Sequence, residues 1–414
     1  MATVIHQASG SNSQAASVTN YLRLHGNDRS NVTTTEALRV SIWRSNGTLS
    51  NLYINILTND RAASTFRTRK ATVNANLVVS ITGSTTGKFE DTSNTDTVTA
   101  GDNWHASLVT GAGGTVFTFR VIQVLFAATT NTVHRIGCGF IDVTTASSTE
   151  FSAFYGHGGV PQTTEANVGM TMRTAGTLRN FVIFVAGNSR TNTSTGRSRV
   201  NSANGAQSVS IGSGATGSFE DTTNSDTIVS GDLVNWSITT STGTELLAIN
   251  WVVVEFVTTN GNQQYVAGEA AGVSQTAGLT QYIPFSGRYT VSATESDVIA
   301  ETNLAFTASL LQTNISANTI VLDSTLTLRK NSGVANQTVA ITALTTGIFQ
   351  DTVNTDTIVA TDTLNYQIVT PSTVTAITIR SISMLGDSSI SRNINTFERK
   401  TFRGVLRGVG RGSI

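Results

Sequence analysis

At 414 residues, with 39% hydrophobic and 13% charged side chains, the chain is too long for one ordinary core and sized for two to four domains of ~100–200 residues. Its formal net charge of +0 excludes whole-chain electrostatic attraction to nucleic acid or to an anionic membrane. Thr, Ser, Asn and Gly fill the polar fraction in place of Glu, Lys and Ala, which disfavours helices and favours strands joined by tight turns. The single cysteine, Cys138, cannot close an intramolecular disulfide and reads as a small buried apolar residue.

In chain order, Met1 to Gln7 carry neither the basic nor the apolar region of a secretory signal, so a protein made in a cytoplasm is expected. The runs 51–57, 77–81 and 117–126 alternate apolar and polar side chains at least in part, and clusters of Gly, Asn, Asp and Ser separate them. That is the pattern of strands and hairpins. No segment sustains a 3.6-residue apolar period. The longest apolar stretch, Leu246 to Val257, is broken by Asn250 and Glu255 and falls short of the ~20 residues of a spanning helix, so no membrane insertion is expected.

The chain repeats itself. Thr86 to Val98 (TGKFEDTSNTDTV) returns as Thr216 to Ile228 (TGSFEDTTNSDTI) and again as Thr346 to Ile358 (TGIFQDTVNTDTI). From Gly87 to Gly217 to Gly347 the step is 130 residues both times, by subtraction. Arg69, Arg199 and Arg329 hold one register position, Asp102, Asp232 and Asp362 another, and Glu36, Glu165 and Glu295 a third. The Glu positions follow aromatic and glycine-containing stretches at 21–26, 154–158 and 282–287, and the segments 116–126, 246–256 and 374–384 also correspond. Repetition on this scale marks whole domains. The expected organisation is β-sandwich repeats at 1–130, 131–260 and 261–386, followed by a basic C-terminal arm at 387–414. Each repeat is expected to be a two-sheet antiparallel sandwich of about eight strands, a jelly roll, making the chain all-β. With no room for linkers, successive copies should pack directly and can close about a pseudo-threefold axis, the rival being a rod of beads.

The acidic block Asp91, Asn94 and Asp96 has oxygen ligands at a spacing that calcium turns use, but it lacks the glycine and bidentate Glu of an EF-hand loop. Side chains that fix a hairpin by bonding local amides are the expectation, with no metal bound. The recurring arginines are expected to pair with recurring carboxylates. His6, His25, His105, His134 and His157 show no ligand spacing, with His6 and His134 standing at roughly equivalent places, and no Gly-x-Ser-x-Gly elbow occurs, so no catalytic residue, cofactor or metal is assigned. Phe89, Phe219 and Phe349 are expected in the core, with Lys88, Ser218 and Ile348 beside them outside. Tyr53, Trp104 and Trp236 are either core aromatics or platforms for a sugar. The last residues carry six basic side chains, Arg392, Arg399, Lys400, Arg403, Arg407 and Arg411, with Phe397 and Phe402 between them. These eight are the candidate docking residues of an arm that orders on a partner.

The repeated phrase Thr-Gly-x-Phe-(Glu/Gln)-Asp-Thr-x-Asn-(Thr/Ser)-Asp-Thr-(Val/Ile) resembles β-sandwich modules of tailed-bacteriophage virion proteins, and the layout of each copy is similar to the jelly roll of the tumour-necrosis-factor and complement-C1q type. Copy three departs from the phrase at Thr361, where the others have Gly101 and Gly231. The resemblance covers the three copies and implies trimer-like assembly without catalytic residues. The function it implies is a non-enzymatic virion structural protein, as a capsid decoration or a tail, baseplate or fibre component, with other virion proteins as partners. A carbohydrate-binding adhesin that recognises a host-surface glycan is the alternative.

Overall fold

Alternation of inward and outward side chains explains why nearly every described segment is extended. In the strand Gly47–Asn59, Leu49, Leu52, Ile54 and Ile56 are buried among one set of neighbours while Ser50 and Asn55 face away. The computed structural model describes residues 3–9, 13–24, 32–130, 132–143, 147–155, 161–241, 245–269, 273–276, 278–285, 287–288, 291–371 and 376–388. Among these the only helical pieces are single 3-10 turns at Glu36–Leu38, Glu165–Asn167 and Glu295–Asp297. No helix among them is long and apolar enough to cross a membrane.

The first unit contains β1 (Thr3–Ser9), β2 (Thr19–Leu22), β3 (Ser41–Ile42), β4 (Gly47–Asn59), β5 (Ser64–Lys70), β6 (Val73–Ile81), β7 (Gly87–Val98), β8 (Asn103–Val109) and β9 (Phe117–Ala128). The second contains β10 (Val133–Val143), β11 (Thr149–Ser152), β12 (Met170–Thr171), β13 (Gly176–Asn188), β14 (Ser194–Val200), β15 (Ala203–Ile211), β16 (Gly217–Ile228), β17 (Leu233–Thr239) and β18 (Leu247–Thr258). The third contains β19 (Gln263–Glu269), β20 (Val273–Thr276), β21 (Thr280–Pro284), β22 (Gly287–Arg288), β23 (Ala300–Glu301), β24 (Phe306–Asn318), β25 (Ser324–Lys330), β26 (Gly333–Ile341), β27 (Gly347–Gln350), β28 (Thr355–Ile358), β29 (Thr363–Val369) and β30 (Ala376–Asp387).

In the first unit the sheets run β1-β9-β4-β7 and β2-β8-β5-β6, with β3 also on β8. Apart from the β5–β6 hairpin and the short β2 and β3, which share one sheet, the chain passes back and forth between two sheets in the order of a jelly roll. The second unit repeats this as β10-β18-β13-β16 and β11-β17-β14-β15. The third does so with β19-β30-β24-β27 and β21-β29-β25-β26, its repeated acidic strand split into β27 and β28. All pairings are antiparallel except the short edge pair β19 and β22. The described pairings all stay inside one unit, and each unit has its own apolar core, built around Trp43 and Phe66, around Trp236 and Phe181, and around Tyr366 and Leu311.

Register refines several expectations. Tyr21, Phe151 and Tyr282 occupy the same place, bridging Thr33, Gln162 and Ser292, so the aromatic equivalent in copy two is Phe151 rather than Phe154, which lies in the core. His6 faces Val124 on β9, whereas His134 faces Phe256 on β18. His134 therefore stands where the first unit has Val4, and Ile136 stands where it has His6; the two histidines are not equivalent. In unit three the counterpart of Phe117 and Leu247 is Ile377, which meets Asn318 as they meet Asn59 and Asn188. Phe89, Phe219 and Phe349 pack against their cores but remain half-buried, while Lys88, Ser218 and Ile348 are exposed. Their strand is the edge of its sheet, which leaves one side of each ring uncovered. β30 extends through Asp387, and Ser388 donates to the Asn262 carbonyl, so ordered structure reaches into the segment expected to be arm. Arg392, Phe397, Arg399, Lys400, Phe402, Arg403, Arg407 and Arg411 lie outside the described residues.

Candidate functional site

Two of the three recurring polar constellations are consumed inside the units. Asp91 accepts hydrogen bonds from the backbone of Ser93 and Asn94 at 3.0 Å and of Val78 at 2.8 Å, and from the Asn94 side chain at 2.9 Å. Asp221 and Asp351 repeat all four bonds. Burial alone would push these carboxyls up, but the Asn side chain and three backbone amides outweigh it and hold them low, Asp351 at about 2. Asp96 takes the Asn76 amide at 2.7 Å and the Thr68 hydroxyl at 2.5 Å. The block therefore acts as a side-chain staple between neighbouring strands. Among the described residues no group of three or more His, Cys, Asp or Glu is placed to hold a metal.

The recurring arginines pair with the recurring glutamates. Arg69 meets Glu36 at 2.6 Å, Arg199 meets Glu165 at 2.7 Å and Arg329 meets Glu295 at 2.8 Å. Each guanidinium also lies over the equivalent aromatic, Tyr21, Phe151 or Tyr282, at 5.6, 5.3 and 5.8 Å. Tyr53, Trp104 and Trp236 are buried, as are Trp43 and Trp251, so none of the aromatics singled out by sequence offers a face to a sugar. Cys138 is buried in the core of unit two.

The third constellation lies between units. Tyr53, Val182 and Gln312 share one register position on β4, β13 and β24, opposite Glu90, Glu220 and Gln350, and each points away from its own core. Ile42, Thr171 and Glu301 share another on β3, β12 and β23. These two positions meet across all three junctions. Val182 clusters with Trp251 and Val253 of its own unit two, and Ile42 of unit one packs against that cluster. Gln312 of unit three donates to the Thr171 hydroxyl of unit two at 2.6 Å. Tyr53 of unit one clusters with Val121 of its own unit and Ala300 of unit three, and its hydroxyl bonds the Glu301 backbone. Burial first, and then the Glu301 and Glu90 charges, push that phenol above its ordinary range. One edge of each sandwich is thus set on the sheet face of the next, from one to two, two to three and three back to one.

The surrounding contacts differ at each junction. Between units one and two, Glu255 is buried and receives Ser45 at 3.0 Å and Asn180 at 2.8 Å, with Arg179 at 3.4 Å and Arg135 at 3.8 Å. Burial lowers Arg135 to about 10 despite Glu255, and its guanidinium lies 4.7 Å from the centre of the Trp43 ring. Arg39 donates to Asn250 at 2.8 Å, and Arg44 grips Glu220. Between two and three, Arg173 donates to the Leu310 carbonyl at 3.0 Å, to Gln312 and to Gln350. Between three and one, Lys88 meets Glu301 at 2.6 Å, Gln123 donates to the Thr302 carbonyl at 3.2 Å and Arg120 approaches Asp297 at 3.5 Å. Sequence inspection missed these residues because their partners lie far away in the chain; the only local signal was an outward position occupied by a large side chain.

No family model and no curated protein matches the chain. Among solved structures it is similar to a chain from "Life in the extremes: atomic structure of Sulfolobus Turreted Icosahedral Virus". The identity is 12%, 93% of this chain and 90% of that chain are covered, and the TM-score is 0.19, a superposition too loose to carry an argument about this protein.

Proposed function

We propose that this chain is a non-enzymatic structural protein of a virus particle, supplying a trimer-like block of three jelly rolls from one polypeptide. The observation that supports the reading best is the closed sequence of junctions, in which Tyr53, Val182 and Gln312 each receive the preceding unit. A block of this kind has a defined shape and several exposed loops, and the repeated polar side chains that would otherwise suggest chemistry are spent on internal staples. The finer reading is a surface component of a tailed bacteriophage, on the capsid or in the tail, baseplate or fibre, held there by the C-terminal segment, whose alternating arginines and phenylalanines suit docking on another virion protein. Deleting residues 389–414 removes no described strand. The truncated chain should stay folded by circular dichroism yet be missing from purified particles, and normal incorporation would overturn the docking role. Absence of the intact chain from every particle fraction would overturn the virion reading itself.

A further inference from the structure

One end of unit three differs from the same end of its siblings. In units one and two the turn after the long central strand begins with Arg61 and Arg190, both buried. Arg61 donates to the carbonyls of Gly113 at 2.6 Å and Gln14 at 2.9 Å, and Arg190 to that of Val143 at 3.2 Å. Unit three has Ile320 at this place, since Arg61, Arg190 and Ile320 each donate their backbone N–H to the preceding Asn at 3.0 Å. Val321 and Leu322 follow, 60% and 57% exposed, where unit one has Ala62 and Ala63 and unit two has Thr191 and Asn192. Leu344 lies alongside, its N–H bonded to the Ile320 carbonyl at 2.9 Å, and is 62% exposed. It replaces Ser84 and Gly214, which make the same bond to Arg61 and Arg190.

Leu344 also has a φ of 56°, in the left-handed region that a bulky side chain rarely adopts. A leucine kept in that conformation and pointed into water is disfavoured both by its backbone and by its hydration, so a contact outside the described sheets accounts for it best. Asp323 lies exposed next to Leu322 and caps the Ala343 amide at 2.9 Å. The tip thus combines three apolar side chains with one carboxylate.

We propose that this tip holds the chain's own C-terminal segment, residues 389–414, until that segment is passed to another virion protein, an inference that rests on reading that segment as a docking arm. The chemistry is complementary: Phe397, Phe402, Val405 and Leu406 alternate with Arg399, Lys400, Arg403 and Arg407, supplying apolar anchors for Val321, Leu322 and Leu344 and cations for Asp323. Reach permits it as well. The segment starts beyond Asp387 at one end of β30, while Thr319, just before the tip, bonds Ala376 at the other end. That strand is ~40 Å long, and 26 extended residues span up to ~90 Å.

The test titrates a labelled 389–414 peptide into the chain ending at Ser388, which keeps all described strands. Saturable binding is expected, weakened about tenfold or more in a V321T/L322N/L344G variant, whose new residues are those unit two carries at the same turns. Because Gly214 already serves at that position, the variant should fold. Equal binding to both proteins, equal binding of a scrambled peptide, or no binding would overturn the proposal. Since no particles are used, the result is independent of whether the chain enters a virion.

Discussion

The junction between units one and two and the one between units three and one use the same two register positions but different chemistry. The first is backed by a four-residue link, 129–132, and buries Glu255 among Arg135, Arg179, Ser45 and Asn180. The second has no chain connection and is held by Tyr53 against Ala300, with the partly exposed Lys88–Glu301 pair at its rim. A linked pair of units meets at high effective concentration whatever the contacts, so it tolerates costly buried charge. An unlinked seam must rely on packing that stabilises by itself. Buried ions give poor affinity but strong discrimination: Glu255 is held by Arg135, Arg179 and Asn180 of its own unit and takes from unit one the Ser45 hydroxyl and the Arg44 amide, donors that its counterparts Leu125 and Leu385 could not accept. The three junctions therefore read as a pairing code that favours the order one, two, three over exchange between chains.

The largest effect is expected from breaking that charge cluster. Glu255→Ala leaves Arg135 and Arg179 without their carboxylate, and loss of one partner of a buried pair costs about 3–5 kcal/mol. Denaturant unfolding should show this loss in full. A change below about 1 kcal/mol would mean the cluster is wet and the contrast with the seam unfounded.

Acid should separate the junctions next. His134 is buried, its imidazole lowered to about 4 by burial against a weaker opposing bond to the Gln263 backbone. His6, beside it, is lowered by burial and then by His134 and Arg135. Both are neutral in the folded state and protonate near 6.5 once unfolded, so their stabilisation is fully present above pH 6.5 and declines below it, for His134 until the pH reaches about 4. For His134 the loss is about 3 kcal/mol at the low end. His6 and His134 act on each other and on Arg135 at the junction of units one and two, so hydrogen exchange at pH 5 should rise on the Val182 face before the Tyr53 face. His134→Val, giving the residue unit one has there, should flatten the dependence.

How much of this was legible beforehand follows from range in the chain. The strand pattern, the threefold repetition, the Arg–Glu pairs and the Asp91 staple were readable because their signals recur at a fixed 130-residue step or act within a few residues. The half-burial of Phe219 was not, because alternation says which side a residue faces and not whether its strand lies at a sheet edge. Glu255 looked like an interruption of an apolar run; its partners Ser45 and Arg135 come from segments 210 and 120 residues away, and no local pattern brings them together. His6 and His134 looked equivalent until strand register placed Ile136 opposite the same partner position as His6.

A smaller effect is expected at the seam. Lys88→Ala removes the two ion pairs of a partly exposed lysine, to Glu301 across the seam and to Glu90 of its own unit, and such pairs contribute about 0–1 kcal/mol each and weaken with salt. The melting temperature should fall slightly in low salt and not at all in high salt, whereas the Glu255→Ala loss should persist in both. Equal salt sensitivity at the two sites would remove the distinction between a buried and a rim charge.

The smallest expected effect is none, and it guards the comparison against a hidden contribution. If the staples at Asp91, Asp221 and Asp351 held calcium, stability differences assigned to the junctions would depend on metal occupancy in each unit. Both oxygens of each carboxylate already accept two N–H donors, and donors point positive hydrogens where a cation would have to approach. Gln350 replaces Glu90 and Glu220 without disturbing the third staple, whose four bonds match the others. Chelation should therefore leave the melting temperature unchanged within error, and acid should act instead. The low carboxyl values mean that the staples contribute fully above about pH 4 and lose their contribution as the pH falls through the folded value, about 2 for Asp351. A drop of many degrees on chelation that calcium restores would show that these turns are ligands after all.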